Sequence, residues 1–127
     1  MQFTVYGNPK GKQRPRFSRK IRKIYTPSET TSYEQEIRKA YISAGGTMLS
    51  ETAAISILIS AEYAKARTSK KVFPTLKPDW DNIGKIVSDA LNGIAYKDDA
   101  QIVTAVIHKT WASDNIPKIK VSVGVAQ

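Results

Sequence analysis

"TAAISILISAEYA", residues 52–64, is a long apolar run, and it decides the fold. The β-branched residues Ile55, Ile57 and Ile59 alternate within it. Branched side chains pack well on a pleated surface, so this pattern favours a strand over a helix. Because the run carries so little polar character, it is interpreted as a central strand of a sheet.

The residues before this strand predict a strand and a helix. Residues 2–7, "QFTVYG", alternate apolar and polar positions, as a strand with one buried face does. Further along, "PSETTSYEQEIRKAYISAGG" places its apolar residues on one helical face and ends in two glycines. This pattern predicts a helix from about Ser32, with Thr31 or Ser32 as its N-cap, to Ser43.

The residues after the central strand predict one more helix and two strands. From Asp81 to Leu91 the apolar residues recur at helical spacing, and Asn92-Gly93 ends the pattern. Residues 100–111 and 117–126 read as two strands joined by the "SDNIP" turn. The predicted order is β-α-β-α-β-β. The fold class is α/β (α+β), one compact domain over residues 1–127 with an approximately four-stranded mixed sheet and two main helices.

Composition excludes several classes of site. The chain of 127 residues has no cysteine, which rules out disulfides, thiolate metal sites and cysteine nucleophiles. A single histidine, His108, rules out multi-histidine zinc sites, and it is interpreted as structural. The N-terminus lacks the pattern of a signal peptide, and no stretch approaches the roughly 20 apolar residues of a membrane span. The expectation is a soluble, cytoplasmic domain.

Positive charge is concentrated in the first part of the chain. Residues 1–77 carry 15 Lys/Arg against 5 Asp/Glu, whereas residues 78–127 carry 5 against 6. One-sided charge indicates a polyanionic partner, DNA or RNA before a membrane, whereas excess lysine for solubility would not explain the asymmetry. Residues 8–29 are expected to form an exposed loop or irregular hairpin. The residues predicted there to contact DNA phosphates are Lys10, Lys12, Arg14, Arg16, Arg19, Lys20, Arg22 and Lys23.

Five of the six aspartates are crowded together between positions 79 and 99, namely Asp79, Asp81, Asp89, Asp98 and Asp99. Two carboxylates about 4 Å apart repel by about 4 kcal/mol at an effective dielectric near 20. Several in one pocket therefore need a cation or bound protons. Oxygen ligands select Mg²⁺, with Mn²⁺ able to substitute, and Mg²⁺ supports hydrolysis of a phosphodiester.

The residues alone also allow purely structural roles for the aspartates of this cluster. Asp79 and Asp81 would point the same way if the chain were extended, but either one could simply cap the helix. Asp81, Lys85 and Asp89 share one helical stripe, which fits either a site or a solvated ladder of ion pairs. One alternative for Asp98 is that it merely begins a turn. Strand periodicity does not decide whether Asp98 or Asp99 joins the other acids. In a site, Lys85 would stabilise the transition state or hold the attacking water.

Taken together, "KPDWDNIGKIVSDALNGIAYKDDAQI", residues 77–102, resembles the signature of the RusA family of Holliday junction resolvases. The resemblance extends to "GNPKGKQRPRF", residues 7–17, and to "YTPSETTSYE", residues 25–34. It implies a Mg²⁺-dependent endonuclease that acts as a homodimer on four-way DNA junctions, makes paired nicks, and serves recombination and repair, often in a phage or prophage context.

The resemblance also implies roles for individual residues. By position, Asp79, Asp81 and Asp99 correspond to the metal-binding catalytic acids, and Lys85 corresponds to the essential lysine. The supporting positions are Asn82, Asp89 and Asp98. Two alternatives to a junction resolvase are a non-catalytic nucleic-acid-binding module and a nuclease for other branched or flap DNA. Phe17, Tyr25 and Trp80 are candidates for stacking on unpaired bases at a crossover, whereas the alternative is that they form part of the core.

Overall fold

A computed structural model describes residues 1–20, 22–25 and 27–126, without the side chain of Arg16. A short 3₁₀ turn, Asp99–Gln101, precedes the fifth strand. In chain order the elements of the described residues are β1 (Gln2–Tyr6), β2 (Arg16–Ser18), β3 (Lys23–Tyr25), α1 (Ser28–Ser43), β4 (Ile55–Tyr63), α2 (Trp80–Leu91), β5 (Ile102–Trp111) and β6 (Lys118–Val125).

The main sheet has four strands in the order β1-β6-β4-β5. Strand β4 is parallel to β5 and antiparallel to β6, which in turn is antiparallel to β1. The predicted central strand is therefore an interior strand, and the mixed α+β architecture is confirmed. Because β4 lies between β5 and β6, the connection over residues 112–117 joins two strands that do not pair.

The core lies between the two helices and one face of the sheet. The stripe on α2 is fully buried, as its spacing predicts, and it packs with Ile55, Ile57 and Ile59 of β4. Residues of β4 that point the other way, such as Ser56 and Ser60, are only partly buried. One face of the sheet is thus left to solvent, as antiparallel and mixed sheets allow. The buried residues of α2 are Ile83, Ile86, Val87, Ala90 and Leu91.

Helix α1 begins earlier than the sequence predicts. Its first residue is Ser28 and its N-cap is Pro27, so neither Thr31 nor Ser32 caps it. No side chain makes a capping hydrogen bond, and the Pro27 carbonyl accepts from the Thr31 amide at 3.3 Å. Proline has a φ angle that already suits a helix start, and Glu29 in the first turn favours the helix dipole. These effects outweigh the preference for a polar cap.

The basic segment between β1 and α1 forms an exposed two-stranded hairpin. The sequence predicted either an exposed loop or an irregular hairpin here. Strands β2 and β3 pair antiparallel, with Phe17 opposite Ile24, and they are separate from the main sheet. Both side chains are largely exposed. In the described ranges, no helix is long and apolar enough to cross a bilayer.

Candidate active site

The aspartate cluster begins at the first turn of α2. Asp79 is the N-cap residue of this helix, yet its side chain makes no capping hydrogen bond. Its carboxylate instead accepts hydrogen bonds from Lys77 Nζ at 2.9 and 3.1 Å. Because the Lys77 side chain is 85% exposed, solvent screens this pair and it constrains Asp79 weakly. Capping therefore does not explain Asp79.

The loop that carries Asp79 is fixed by two residues of the sheet. Lys109 on β5 donates to the carbonyls of Leu76 and Pro78, and the Tyr63 hydroxyl on β4 donates to the Pro78 carbonyl at 3.4 Å. The Lys109 ammonium also lies 5.5 Å from the centre of the Tyr63 ring. Burial, together with the charge of Asp79, raises the pKa of Tyr63 to about 12, so its hydroxyl keeps its proton at neutral pH.

Sequence reasoning did not identify this role for Lys109 and Tyr63. The signal that the sequence offers is a lysine inside an otherwise largely apolar strand, which needs a polar partner wherever it is partly buried. The identity of that partner depends on which loop crosses the end of β5, and periodicity carries no such information.

Asp81 and Asp99 line the same cavity, which has a volume of about 310 Å³. Its wall is apolar and includes Ile57 and Ile59 of β4, and Trp80 lies at its edge. Asp79 lines a separate cavity of about 330 Å³. The two-residue spacing does not align Asp79 with Asp81 because Asp81 is already helical, and successive helical side chains are about 100° apart.

The adjacent aspartates Asp98 and Asp99 have different surroundings. Asp98 caps the 3₁₀ turn, accepting from the Ala100 amide at 3.2 Å, while the Gln101 side chain accepts from the Asp98 amide at 3.2 Å. This arrangement is a capping box, in which each side chain satisfies a free backbone N–H. Asp98 thus begins a turn, which was the structural alternative predicted for it. Asp99 lines the cavity that Asp81 shares.

Asp99 is electrostatically strained. Burial raises its pKa above the usual range, and so do a hydrogen bond with Asp98 and the charges of Asp98 and Asp89, while Lys85 lowers it. Nearby, burial followed by the charges of Asp99 and Asp89 raises the pKa of Tyr96. The Tyr96 hydroxyl donates to the Ser88 carbonyl at 2.7 Å. A cation beside Asp99 would relieve this repulsion.

Lys85 and Asp89 lie one turn apart on α2, with Nζ 3.7 Å from Asp89 Oδ2. The Lys85 side chain is 63% exposed, so this ion pair is weak. Solvated ion pairs along this helical stripe were the alternative to a site, and the Lys85–Asp89 pair is one of them. It does not prevent Lys85 from reaching a ligand, because long exposed side chains exchange partners at little cost.

Lys12 is an exception among the cations predicted to bind DNA. Its side chain is 20% exposed and turns inward, with Nζ 2.6 Å from Glu34 Oε1 and 3.3 Å from Asp89 Oδ2. The chain passes so close to α2 that a Cβ on Gly11 would lie 2.9 Å from Asn82 Cβ. The Lys12 amide donates to the Asn82 carbonyl at 3.0 Å. This close passage directs Lys12 towards the protein interior and away from a DNA phosphate.

The other predicted DNA contacts lie near the surface. Lys10 is partly buried, 3.6 Å from Glu29 and 5.7 Å from the centre of the Tyr33 ring. The side chain of Arg16 lies outside the described part of the structure. The aromatic residues Phe17, Tyr25 and Trp80 are exposed, and His108 is exposed on β5. The predicted contacts whose side chains are exposed are Arg14, Arg19, Lys20, Arg22 and Lys23.

The donor set is compatible with a hard cation. Within the described ranges, no three acidic or histidine side chains are grouped closely enough to hold a metal ion. Mg²⁺, however, typically takes one or two carboxylates and completes its shell with water and substrate phosphate. Asp81 and Asp99, which line one cavity, supply that number. The strain at Asp99 is what such an ion would neutralise.

Two comparisons with known proteins bear on this arrangement. The family model described as endodeoxyribonuclease RusA matches residues 6–124, which confirms the resemblance seen in the sequence. A protein of Bacillus subtilis (strain 168), described as the uncharacterized protein YqaN, is 30% identical over 136 residues, covering 97% of this chain and 94% of that protein. The match includes all of the elements that position the aspartates. The chain therefore belongs to the RusA endodeoxyribonuclease family.

Proposed function

We propose that this protein is a Mg²⁺-dependent endonuclease that resolves four-way DNA junctions by paired nicks in recombination and repair, and that it works as a homodimer. Membership of an endodeoxyribonuclease family supports DNA cleavage in general. The single observation that carries the proposal is that Asp81 and strained Asp99 line one cavity, with Lys85 on the same helix. This is a place where a cation and a phosphodiester can meet.

Asp81 and Asp99 would hold Mg²⁺, with Asp79 as a further ligand once it leaves Lys77. When bound, Mg²⁺ supplies a hydroxide-like nucleophile near neutral pH and offsets charge on the departing 3′-oxygen. Lys85 approaches the phosphate and stabilises the negative charge that develops on it. Asn82 and Asp89 support this arrangement, Asn82 through its carbonyl contact with Lys12. Mn²⁺, another hard cation, is expected to substitute.

The exposed cations of the hairpin would contact the phosphates of the junction arms. Contact with 6 or more phosphates would reduce affinity by about 10³-fold between 50 and 200 mM salt. Such contacts position DNA without reading its sequence. Selectivity for a junction would then come from the angle at which a dimer holds two arms. The exposed edge strand β5, with Val103 64% exposed, supports self-association.

A nicking assay on a four-way junction tests the proposal. The wild-type protein should cleave with Mg²⁺ and not without it, and Asp81→Asn should lose at least about 100-fold in rate. Asp114→Asn is the matched control, because the charge change is the same and Asp114 lies in the connection between β5 and β6, where it pairs with Lys118. Equal cleavage by wild type and Asp81→Asn would sink the mechanism. A flap and a linear duplex, assayed in parallel, distinguish a resolvase from a nuclease of other specificity.

A further inference from the structure

The Lys12 side chain turns away from solvent and into the protein. It lies between α1 and α2, with its ammonium shared by Glu34 and Asp89. Burial alone lowers the pKa of Lys12, but hydrogen bonds and charge from the two carboxylates outweigh this effect and raise it. Lys12 therefore keeps its charge throughout the neutral range. A lysine that serves only as a phosphate contact would instead point into solvent.

Glu34 is fixed independently of Lys12. It is 8% exposed, and Arg38 lies 3.4 Å from its second oxygen while also donating to the Ala90 carbonyl at 2.9 Å. This arrangement ties α1 to the C-terminal part of α2. Glu34 therefore holds the Lys12 ammonium at a defined place beside Asp89, and removing Lys12 would still leave Glu34 with Arg38 as a partner.

Asp89 lies between two lysines of different freedom. The same oxygen, Oδ2, is 3.3 Å from Lys12 Nζ and 3.7 Å from Lys85 Nζ. Lys12 is 20% exposed and Lys85 is 63% exposed. The partly buried pair with Lys12 is less screened than the exposed pair with Lys85, so Lys12 compensates the charge of Asp89 more than Lys85 does. Asp89 then holds the Lys85 ammonium only weakly, and Lys85 can turn towards a ligand.

We propose that Lys12 is a positioning residue that satisfies Asp89 so that Lys85 remains free to reach the phosphate being cleaved. This inference rests on the proposed function, because it assigns Lys85 a role in cleavage. The effect of Lys12 on the freedom of the Lys85 side chain does not depend on that function. Without Lys12, the nearest cation to Asp89 would be Lys85, and Asp89 would draw Lys85 away from the cavity that Asp81 and Asp99 line.

The first test separates the rate of cleavage from the affinity for DNA. Lys12→Met should lower the single-turnover rate at saturating four-way junction by about 10-fold to 100-fold, the scale expected when a reacting group is misplaced. Its junction affinity and salt dependence should stay unchanged, and Lys12→Arg should restore most of the rate. The matched control is Lys39→Met on the exposed side of α1, which removes the same charge and should leave the saturated rate unchanged.

The second test does not depend on cleavage. The reactivity of each lysine towards an amine-modifying reagent is measured by mass spectrometry in protein without DNA. Lys12→Met should slow labelling of Lys85 by at least about twofold, the scale of an exposed ion pair, and adding Asp89→Asn should restore it. This result would stand even if the wild-type protein cleaved no junction, so it separates failure of this inference from failure of the proposed function.

Two results would overturn the inference. One is a Lys12→Met protein with the full saturated rate but a lower salt slope, which would make Lys12 an ordinary phosphate contact. The other is unchanged Lys85 labelling in Lys12→Met, or no recovery in the Lys12→Met/Asp89→Asn double variant. Thermal unfolding is measured for each variant, and Lys12→Gln, which keeps a hydrogen-bond donor, replaces Lys12→Met if the latter does not fold.

Discussion

Asp98 and Asp99 are neighbours in the chain, but their carboxylates have different surroundings. The Asp98 carboxylate accepts a backbone hydrogen bond from Ala100 and caps a turn, whereas Asp99 is partly buried beside other acids, which raise its pKa. A charged group held where its charge is disfavoured costs stability, and proteins retain such groups where the charge is used. The contrast makes Asp99 the better of the two for binding a cation.

This strain predicts the pH dependence of stability. The pKa of Asp99 is raised on folding, so its contribution is fully favourable below the unfolded pKa and is lost as pH rises through the folded pKa. At pH 7 without metal, Asp99→Asn should therefore be more stable than wild type, and the difference should disappear as the pH falls below 4. Urea unfolding at several pH values measures this effect.

Asp114 provides a control of opposite sign. A hydrogen bond from Lys118 lowers the pKa of Asp114, so its contribution is present above the unfolded pKa and is lost as pH falls through the folded pKa. Asp114→Asn should thus lower stability at pH 7 and have no effect in acid. If both substitutions changed stability in the same direction at pH 7, the assignment of strain to Asp99 would be wrong.

At the scale of elements, α2 approaches β5 closely at Gly84. A Cβ at this position would lie 2.7 Å from Ile107 Cδ1. Glycine inside a helix costs up to about 1 kcal/mol relative to alanine, and the sequence gives no reason for that cost. The contact with Ile107 explains this cost. Because Gly84 has no side chain, α2 can lie close to β5, the strand that follows Asp99, and Asp81 is held near it.

Substitutions at Gly84 test this explanation. Gly84→Ala should change the free energy of unfolding by less than about 1 kcal/mol, because the gain in helix propensity offsets displacement of one flexible methyl group. Gly84→Leu should cost about 1–3 kcal/mol by overpacking and should also slow cleavage. In the Ile107→Val background, which lacks Cδ1, Gly84→Ala should be more favourable than in wild type. Additive effects would contradict the contact.

The loop before α2 gives a second prediction at this scale. Lys109→Met removes the donor to the Leu76 and Pro78 carbonyls, so the loop that carries Asp79 should lose its fixed position. We expect the cleavage rate at saturating DNA to fall by about 10-fold to 100-fold with affinity retained. Lys120→Met, on the exposed side of β6, is the control and should leave the rate unchanged. A Lys109→Met protein with weaker binding and a normal rate would indicate a phosphate contact instead.

At the scale of the whole molecule, β5 forms a long edge of the main sheet. Among the described residues β5 pairs only with β4, and Val103 and Val106, which point to opposite faces of the sheet, are both exposed. Exposed edges of this length invite pairing with another chain unless charges block it. The proposed cleavage by paired nicks needs two active sites, and association of two copies through β5 would supply them.

Charge at this edge should therefore separate dimers from monomers. Val103→Lys with Val106→Lys is expected to shift the protein towards the monomer in sedimentation velocity and to uncouple the two nicks on one junction. Ile116→Lys, which adds one charge at an equally exposed apolar residue in a loop, is the control and should remain dimeric. A wild-type monomer that still makes paired nicks would contradict the homodimer.

The sequence by itself determined the four strands of the main sheet, the presence of the two helices and the buried face of α2, because all of these follow from local periodicity. Ile83, Ile86 and Val87 repeat at helical spacing, and Ile55 to Ile59 alternate at strand spacing, whatever surrounds them. The crowded aspartates and the family signature were also visible in the chain alone. The start of α1 was misplaced because a polar cap and a preceding proline compete for the same turn.

Only the tertiary structure decided which charged residues work together. Lys10 and Lys12 are two residues apart and of the same residue type, yet only Lys12 enters the space between the helices, because Gly11 packs against Pro78 and Asn82. In the same way, Asp99 joins Asp81 because β5 lies beside β4 under α2. Such partnerships join residues far apart in the chain. They depend on distances and burial that no local pattern of residues encodes.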